Sequence, residues 1–201
     1  MTRTTQRFTG HIAGFGTESG TRIVVGMWDE GPFGRFGDVM LEQADGHRIL
    51  FAPSQQVADF VSETYTFDEV RRVPVIWRRI DGGVAVDAGE LRLRIRVGGI
   101  SPLGRLLRSV PKRLAVHPLW LRAIDPIARL VQPGVRTAGS AGNGRREYYG
   151  VTGAHRIEAV FARRAGEPLG ALTRLHPPVR FGFGSAPADP HIVRVTTTIT
   201  G

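Results

Sequence analysis

Three arginines, Arg92, Arg94 and Arg96, alternate with Leu91, Leu93, Ile95 and Val97. On a strand this spacing sets three guanidiniums on one face about 6.5–7 Å apart, able to grip phosphates or carboxylates with forked donors. A charged-out, apolar-in strand ordinarily turns its charges to water, so the ladder becomes a site only where it points into a cavity. Lys112 is the only lysine and precedes Arg113. A Schiff-base role would need its amine buried and deprotonated, whereas the basic segment it stands on favours solvent. Glu147, Tyr148 and Tyr149 form the one acidic–aromatic cluster of the basic half. Glu147 could orient a polar group in a pocket, but Arg145 and Arg146 next to it make an ion pair the expected outcome.

Other chemistries lack their residues. The chain has no cysteine, which excludes disulfides, thiolate metal sites and cysteine nucleophiles. His11, His47, His117, His155, His176 and His191 never stand at metal-binding local spacings. No metal and no cofactor is therefore expected. The run GSAGNGRR at 139–146 could form an anion-binding nest of backbone amides, but it is neither a phosphate loop nor a dinucleotide fingerprint, and a surface loop is the expected reading. Gly14-Phe15-Gly16 and Gly182-Phe183-Gly184 read as flexible strand ends. Ser140 and Ser185 lack the frame of a nucleophile elbow.

Positioning these groups falls mostly to strands. Thr21–Trp28 is rich in β-branched residues and reads as a strand. Asp38–Ala52 reads as a hairpin whose Asp45-Gly46 step suits a type I′ turn. After Pro53, Ser54 can cap a helix with Val57, Phe60, Val61 and Tyr65 along one side. Strands are expected at 69–80, 84–89, 91–97, 146–152, 156–163, 169–175, 179–183 and 192–199. Between them lies a helical insertion at 101–133, ended by Pro133-Gly134, with Ser101-Pro102 as its start and Pro118 and Pro126 dividing it into short pieces.

The fold class is accordingly mainly β: an antiparallel barrel or two-sheet sandwich of about ten strands, one domain, with one early helix and a helical lid. The 201 residues suffice for such a core, and 26 glycines with 13 prolines suit its many turns. Trp28, Phe51, Trp77, Phe161, Phe181 and Phe183 are expected to face the interior.

Charge is divided unevenly. Residues 1–90 carry 9 arginines against 13 acids, a net −4; residues 91–201 carry 17 arginines and Lys112 against 5 acids, a net +13. Such asymmetry suggests an anionic partner, although arginine for lysine throughout points partly to a compositional bias. The insertion alone carries Arg105, Arg108, Lys112, Arg113, Arg122 and Arg129 against Asp125. With its Leu/Ile/Val stripe and Trp120 it could lie on anionic lipid or simply cover one end of a barrel. Arginines not interleaved with stacking aromatics, and no reading helix, argue against nucleic acid.

No apolar run reaches spanning length and the first ten residues hold none, so a soluble, cytoplasmic chain is expected. The expected role is a calyx-like binding barrel for a small, largely apolar, anionic molecule, with the basic helices over one mouth. Trp28, Trp77, Arg92, Arg94, Arg96, Lys112, Glu147, Tyr148 and Tyr149 are its candidate contacts. An enzyme acting on a small carboxylate, with Glu147, Lys112 or a histidine as acid or base, is the alternative. The oligomeric state is not legible.

Overall fold

Alternation along the strands decides the architecture. The computed structural model describes residues 5–131, 136–140, 144–181 and 186–201. In chain order the elements are β1 (Thr5–Thr17), β2 (Arg22–Glu30), β3 (Phe36–Glu42), β4 (Arg48–Ala52), α1 (Gln55–Ser62), β5 (Glu69–Arg72), β6 (Val75–Ile80), β7 (Gly83–Ala88) and β8 (Leu91–Ile100). The insertion follows as α2 (Pro102–Arg108), α3 (Lys112–Ala115) and α4 (Pro118–Val131). The chain ends with β9 (Ala138–Ser140), β10 (Arg146–Arg164), β11 (Glu167–Pro168), β12 (Leu172–Thr173) and β13 (His191–Thr200).

Ten strands form one curled sheet, a half-barrel, in the order β5-β4-β3-β2-β1-β13-β10-β8-β7-β6, with β9, β11 and β12 appended. All pairs are antiparallel except β4 with β5, which α1 connects as a crossover. The inner face is an apolar core: Ala13 and Phe15 from β1, Ile23, Val25 and Met27 from β2, and Leu91, Leu93 and Ile95 from β8 all belong to it. Near the open side, Arg35 stacks on Trp77 at 3.8 Å, and the Trp77 indole N–H donates to the Phe36 carbonyl at 3.0 Å, so β6 folds against the start of β3. Glu90 clips the gap by accepting from Arg71 of β5 at 2.5 Å and Arg164 of β10 at 2.6 Å.

The outer face is also apolar over β1 to β4, and it is covered. Ser54 caps α1 by accepting from the Val57 amide at 3.3 Å, and Val57, Ala58 and Val61 pack on Phe8, Leu50 and Ile199. The segment before β13 brings Leu175 and Phe181 onto Val24. The insertion lies over β10. Ser101 caps α2 through the Gly104 amide at 3.0 Å. A Cβ at Gly104 would run into the Ala154 carbonyl oxygen, and one at Gly150 would stand 2.8 Å from the Val116 Cα, so only glycine lets α2 and α3 sit this close to β10.

Several local expectations are corrected. Residues 5–17, read in part as a flexible end, are a central strand. The two strands expected at 146–152 and 156–163 are one 19-residue strand, Arg146–Arg164, because bulges near Val151 and Ile157 absorb the break in alternation. Residues 69–80 divide at Val73-Pro74, and 169–175 holds only the two-residue β12. Residues 179–181 belong to no strand, and 182–183 lie outside the described residues. The β3–β4 loop is not type I′: Gly46 alone has positive φ, at 91°, and His47 N–H is held by the Asp45 carboxylate at 2.9 Å. α4 runs on through Pro126, anchored where Asp125 Oδ1 accepts from the Thr137 amide at 2.7 Å and Thr137 Oγ1 donates to the Leu121 carbonyl at 2.7 Å. No helix among the described residues is long and apolar enough to cross a membrane.

Glu42 is fully buried between β3 and the C-terminal segment. Its carboxylate meets Arg22 at 3.1 Å and Arg180 at 3.0 Å, and accepts from the Arg180 amide at 2.7 Å. Glu42→Ala strands the buried Arg22 guanidinium and should lower the unfolding free energy by about 3–5 kcal/mol in urea melts. The apolar pair Arg22→Met with Glu42→Leu should recover most of that loss; equal instability of single and double variants would contradict the ion pair as the cause.

Candidate functional site

The same alternation that builds the inner core puts charge at one end of it. Trp77 and Arg79 share a face of β6, Ala13 and His11 a face of β1, and Ile192 and Arg194 a face of β13. The apolar residue of each pair lies in the barrel and the basic one at its mouth. From the insertion, Arg108 and Lys112 reach the same mouth, and His155 of β10 completes it. The result is a cleft of about 610 Å3, floored by Met27, Trp77, Val84 and Ile192 and rimmed by cations. That size and mixture suit a small organic molecule.

Arg79, Arg108, Lys112 and Arg194 are exposed, and none pairs with an acid among the described residues. His11 Nδ1 stands 3.7 Å from Asp29. Burial nevertheless holds the His11 pKa below its usual value: Asp29 pulls it upward, and Arg79, Arg194 and His155 push it down again. The field in the cleft is therefore positive even with neutral imidazoles. His155 Nδ1 faces the Gly98 carbonyl at 3.2 Å, which leaves Nε2 as its other polar atom.

A second constellation occupies the outer face, under α1. Tyr65 and Tyr149 share a hydrogen bond between their hydroxyls, and the Tyr65 hydroxyl donates to Glu147 Oε2 at 3.2 Å. The Trp28 indole donates to Asp38 Oδ1 at 2.8 Å nearby. All five groups line a small cavity of about 80 Å3, closed by Phe8, Phe60 and Phe181. Burial pushes the Glu147 carboxyl up to about 7, partly offset by its bonds to Tyr149 and Tyr65. Burial likewise pushes Asp38 up to about 6, against the indole bond. Both tyrosines are driven well above their usual range, first by burial and then by the Glu147 charge.

The nine expected contacts therefore separate. Trp77 and Lys112 meet at the barrel mouth; Trp28, Glu147 and Tyr149 meet on the other side of the sheet. Glu147 and Lys112 cannot serve one substrate. Tyr148 points to the face opposite Glu147 and Tyr149, buried beside Thr198 and Ala138. Arg92, Arg94 and Arg96 turn outward to solvent and line none of these cavities, because Leu91, Leu93 and Ile95 take the inner face. Phe161, opposite Arg94 on β10, is 77% exposed and not interior; Trp28, half-buried, and Phe181, buried, lie on the outer face instead. Glu147 does not pair with Arg145, which bonds Glu63. Ala138–Ser140 of the glycine-rich run pairs with β10 as a strand, while residues 141–143, Phe183 and the side chain of Arg129 lie outside the described residues.

Arg79, Arg194 and Asp38 carry no site reading in the sequence, where His11 stands only as one of six histidines and Tyr65 only on the stripe of α1. Arg79 and Arg194 each stand two residues beyond a buried apolar residue of a strand, which is the one sequence sign of a charge at a barrel mouth. Asp38 and Tyr65 carry no such sign.

The raised carboxyls set a pH dependence. Glu147 stays protonated in the folded chain up to about pH 7 but ionises near 4.5 when unfolded, so its contribution to stability is fully present below 4.5 and is lost as the pH rises through 7. Asp38 adds a decline between its unfolded value of 3.8 and about 6. Glu147→Gln should flatten the decline by an amount of order 2 kcal/mol, read from urea midpoints at pH 4.5 and pH 8. An undiminished decline would show that Glu147 is not buried as a carboxylic acid.

No family model matches the chain, and no curated protein matches it. Among solved structures it is similar to the acetoacetate decarboxylase of Legionella pneumophila subsp. pneumophila str. Philadelphia 1, with 8% identity and a TM-score of 0.42 over 96% of this chain and 82% of that one. A likeness this distant assigns no chemistry to the chain.

Proposed function

We propose that the protein binds a small organic anion with an apolar body in the cleft at the mouth of its half-barrel. The observation that carries the proposal is the convergence of Arg79, Arg108, Lys112 and Arg194, without acidic partners among the described residues, over a floor of Trp77, Val84 and Ile192. Solvated cations attract an anion, and the apolar floor rewards a ligand with a hydrocarbon or aromatic body. An enzymatic role on a small carboxylate would use this same cleft, with His11, His155 or Lys112 as its titratable groups.

Phenyl phosphate and inorganic phosphate separate the two contributions. Trp77 emission should report phenyl phosphate binding at low ionic strength, tighter than inorganic phosphate and weakened by salt. Arg79→Gln combined with Arg194→Gln should weaken phenyl phosphate about tenfold without changing the melting temperature, since both side chains are exposed. Failure of the protein to bind either compound at low salt, or unchanged affinity in the double variant, would remove the proposal.

A second reading concerns the insertion itself. Leu106, Leu114, Leu119 and Ile127 are exposed on α2 to α4, among the exposed Arg105, Arg108, Lys112, Arg113 and Arg122. The one acid there, Asp125, is buried. Apolar side chains amid arginines suit the surface of an anionic bilayer. Vesicles rich in phosphatidylserine should sediment the protein, neutral phosphatidylcholine vesicles should not, and Arg105→Glu with Arg108→Glu should abolish the association. Equal binding to neutral vesicles, or none to anionic ones, would refute this reading.

A further inference from the structure

Between the insertion and the outer face of the sheet lies a cavity of about 280 Å3. Leu103, Leu107, Trp120 and Ile124 form its helical wall, and Val151 and Val193 its sheet wall. Native cores leave few voids larger than a water molecule, so an apolar space of this size is a site for a guest rather than a packing fault. Leu106 and Ile127 line the cavity and are yet 59% and 54% exposed, so it opens to the outside between α2 and α4.

Tyr149 belongs to this cavity and to the small polar one beneath α1. Its hydroxyl bonds that of Tyr65, with Glu147 behind. An apolar chamber thus abuts a buried network of hydroxyls and a carboxyl across a single aromatic ring. Of the residues that line the chamber, Arg136 alone carries a guanidinium, and it is exposed. An anionic head group pushed toward Tyr149 would meet the Glu147 carboxyl without a buried cation beside it, whereas a hydroxyl or carbonyl can join the tyrosine network.

We infer that the chamber beneath the insertion is a second binding site, for an uncharged hydrocarbon-like molecule ending in one hydroxyl or carbonyl group that meets Tyr149. This site lies across β1 and β13 from the anion cleft, shares only Leu107 and Val110 with its lining, and is tested separately from it. Hydrocarbon burial supplies the affinity, and the tyrosine selects the end group.

The experiment displaces the uncharged dye N-phenyl-1-naphthylamine from the full chain with 1-decanol or with decanoate. The dye should bind, decanol should displace it, and decanoate should be at least tenfold weaker at pH 8. Val193→Trp, filling the chamber from the sheet side, should abolish dye binding; Ile124→Trp does the same from the helix side should the first variant melt early. Tyr149→Phe should weaken decanol severalfold and leave the dye unaffected. Binding of phenyl phosphate to the barrel mouth should be unchanged in all three variants, which separates this site from the other. Dye binding that survives both filling variants, or decanoate binding as tightly as decanol, would overturn the inference.

Discussion

A sheet with apolar side chains on both faces cannot leave either face to water, and this constraint governs the molecule. In β2, Ile23, Val25 and Met27 fill the barrel while Val24 and Trp28 point the other way. Curling the sheet satisfies the first set. The second needs covers, and the chain supplies three: α1, the segment ahead of β13, and the helical insertion. An ordinary antiparallel sheet with one wet face would have needed none. The cavities on the outer side arise because covers of irregular shape meet a smooth sheet, and the polar groups trapped beneath them, Asp38 and Glu147, are forced toward their neutral forms.

Charge follows the same geometry. The acid-rich first part of the chain and the arginine-rich second part meet face to face: Glu42 holds Arg180, Glu63 holds Arg145 and Glu90 holds Arg164. Part of the asymmetry is thus spent inside the fold. Four cations with no such partner among the described residues, Arg79, Arg108, Lys112 and Arg194, collect at the barrel mouth, where β1, β6 and β13 carry histidine or arginine two positions from a core residue.

Much of the architecture is legible from residue order alone. α1 lies under Ser54 as its spacing requires, β8 keeps its leucines in and its arginines out, and the insertion sits between β8 and β9. β1 is not legible. Its glycines at 14 and 16 look like flexibility, yet an added Cβ at Gly16 would run into the Arg174 carbonyl oxygen and one at Gly10 would stand 2.8 Å from the Trp28 Cα, so glycine in this strand serves close packing. The direction of Trp28 is equally hidden, since both faces of β2 read as apolar. Glu147 shows the limit most clearly. Two arginines beside it in sequence suggest a local ion pair, but its partner Tyr65 is 82 residues away and only the fold brings them together.

β1 and β13 are shared property. His11 and Arg194 look into the anion cleft, while their immediate neighbours Ile12, Val193 and Val195 wall the chamber behind. The partition between the two spaces is one polypeptide layer thick, and its hydrogen-bonded ladder runs without a break from Thr5 opposite Thr200 to Gly14 opposite His191. An unbroken ladder fixes the spacing of the two strands, so the wall they share keeps its place whichever compartment is filled.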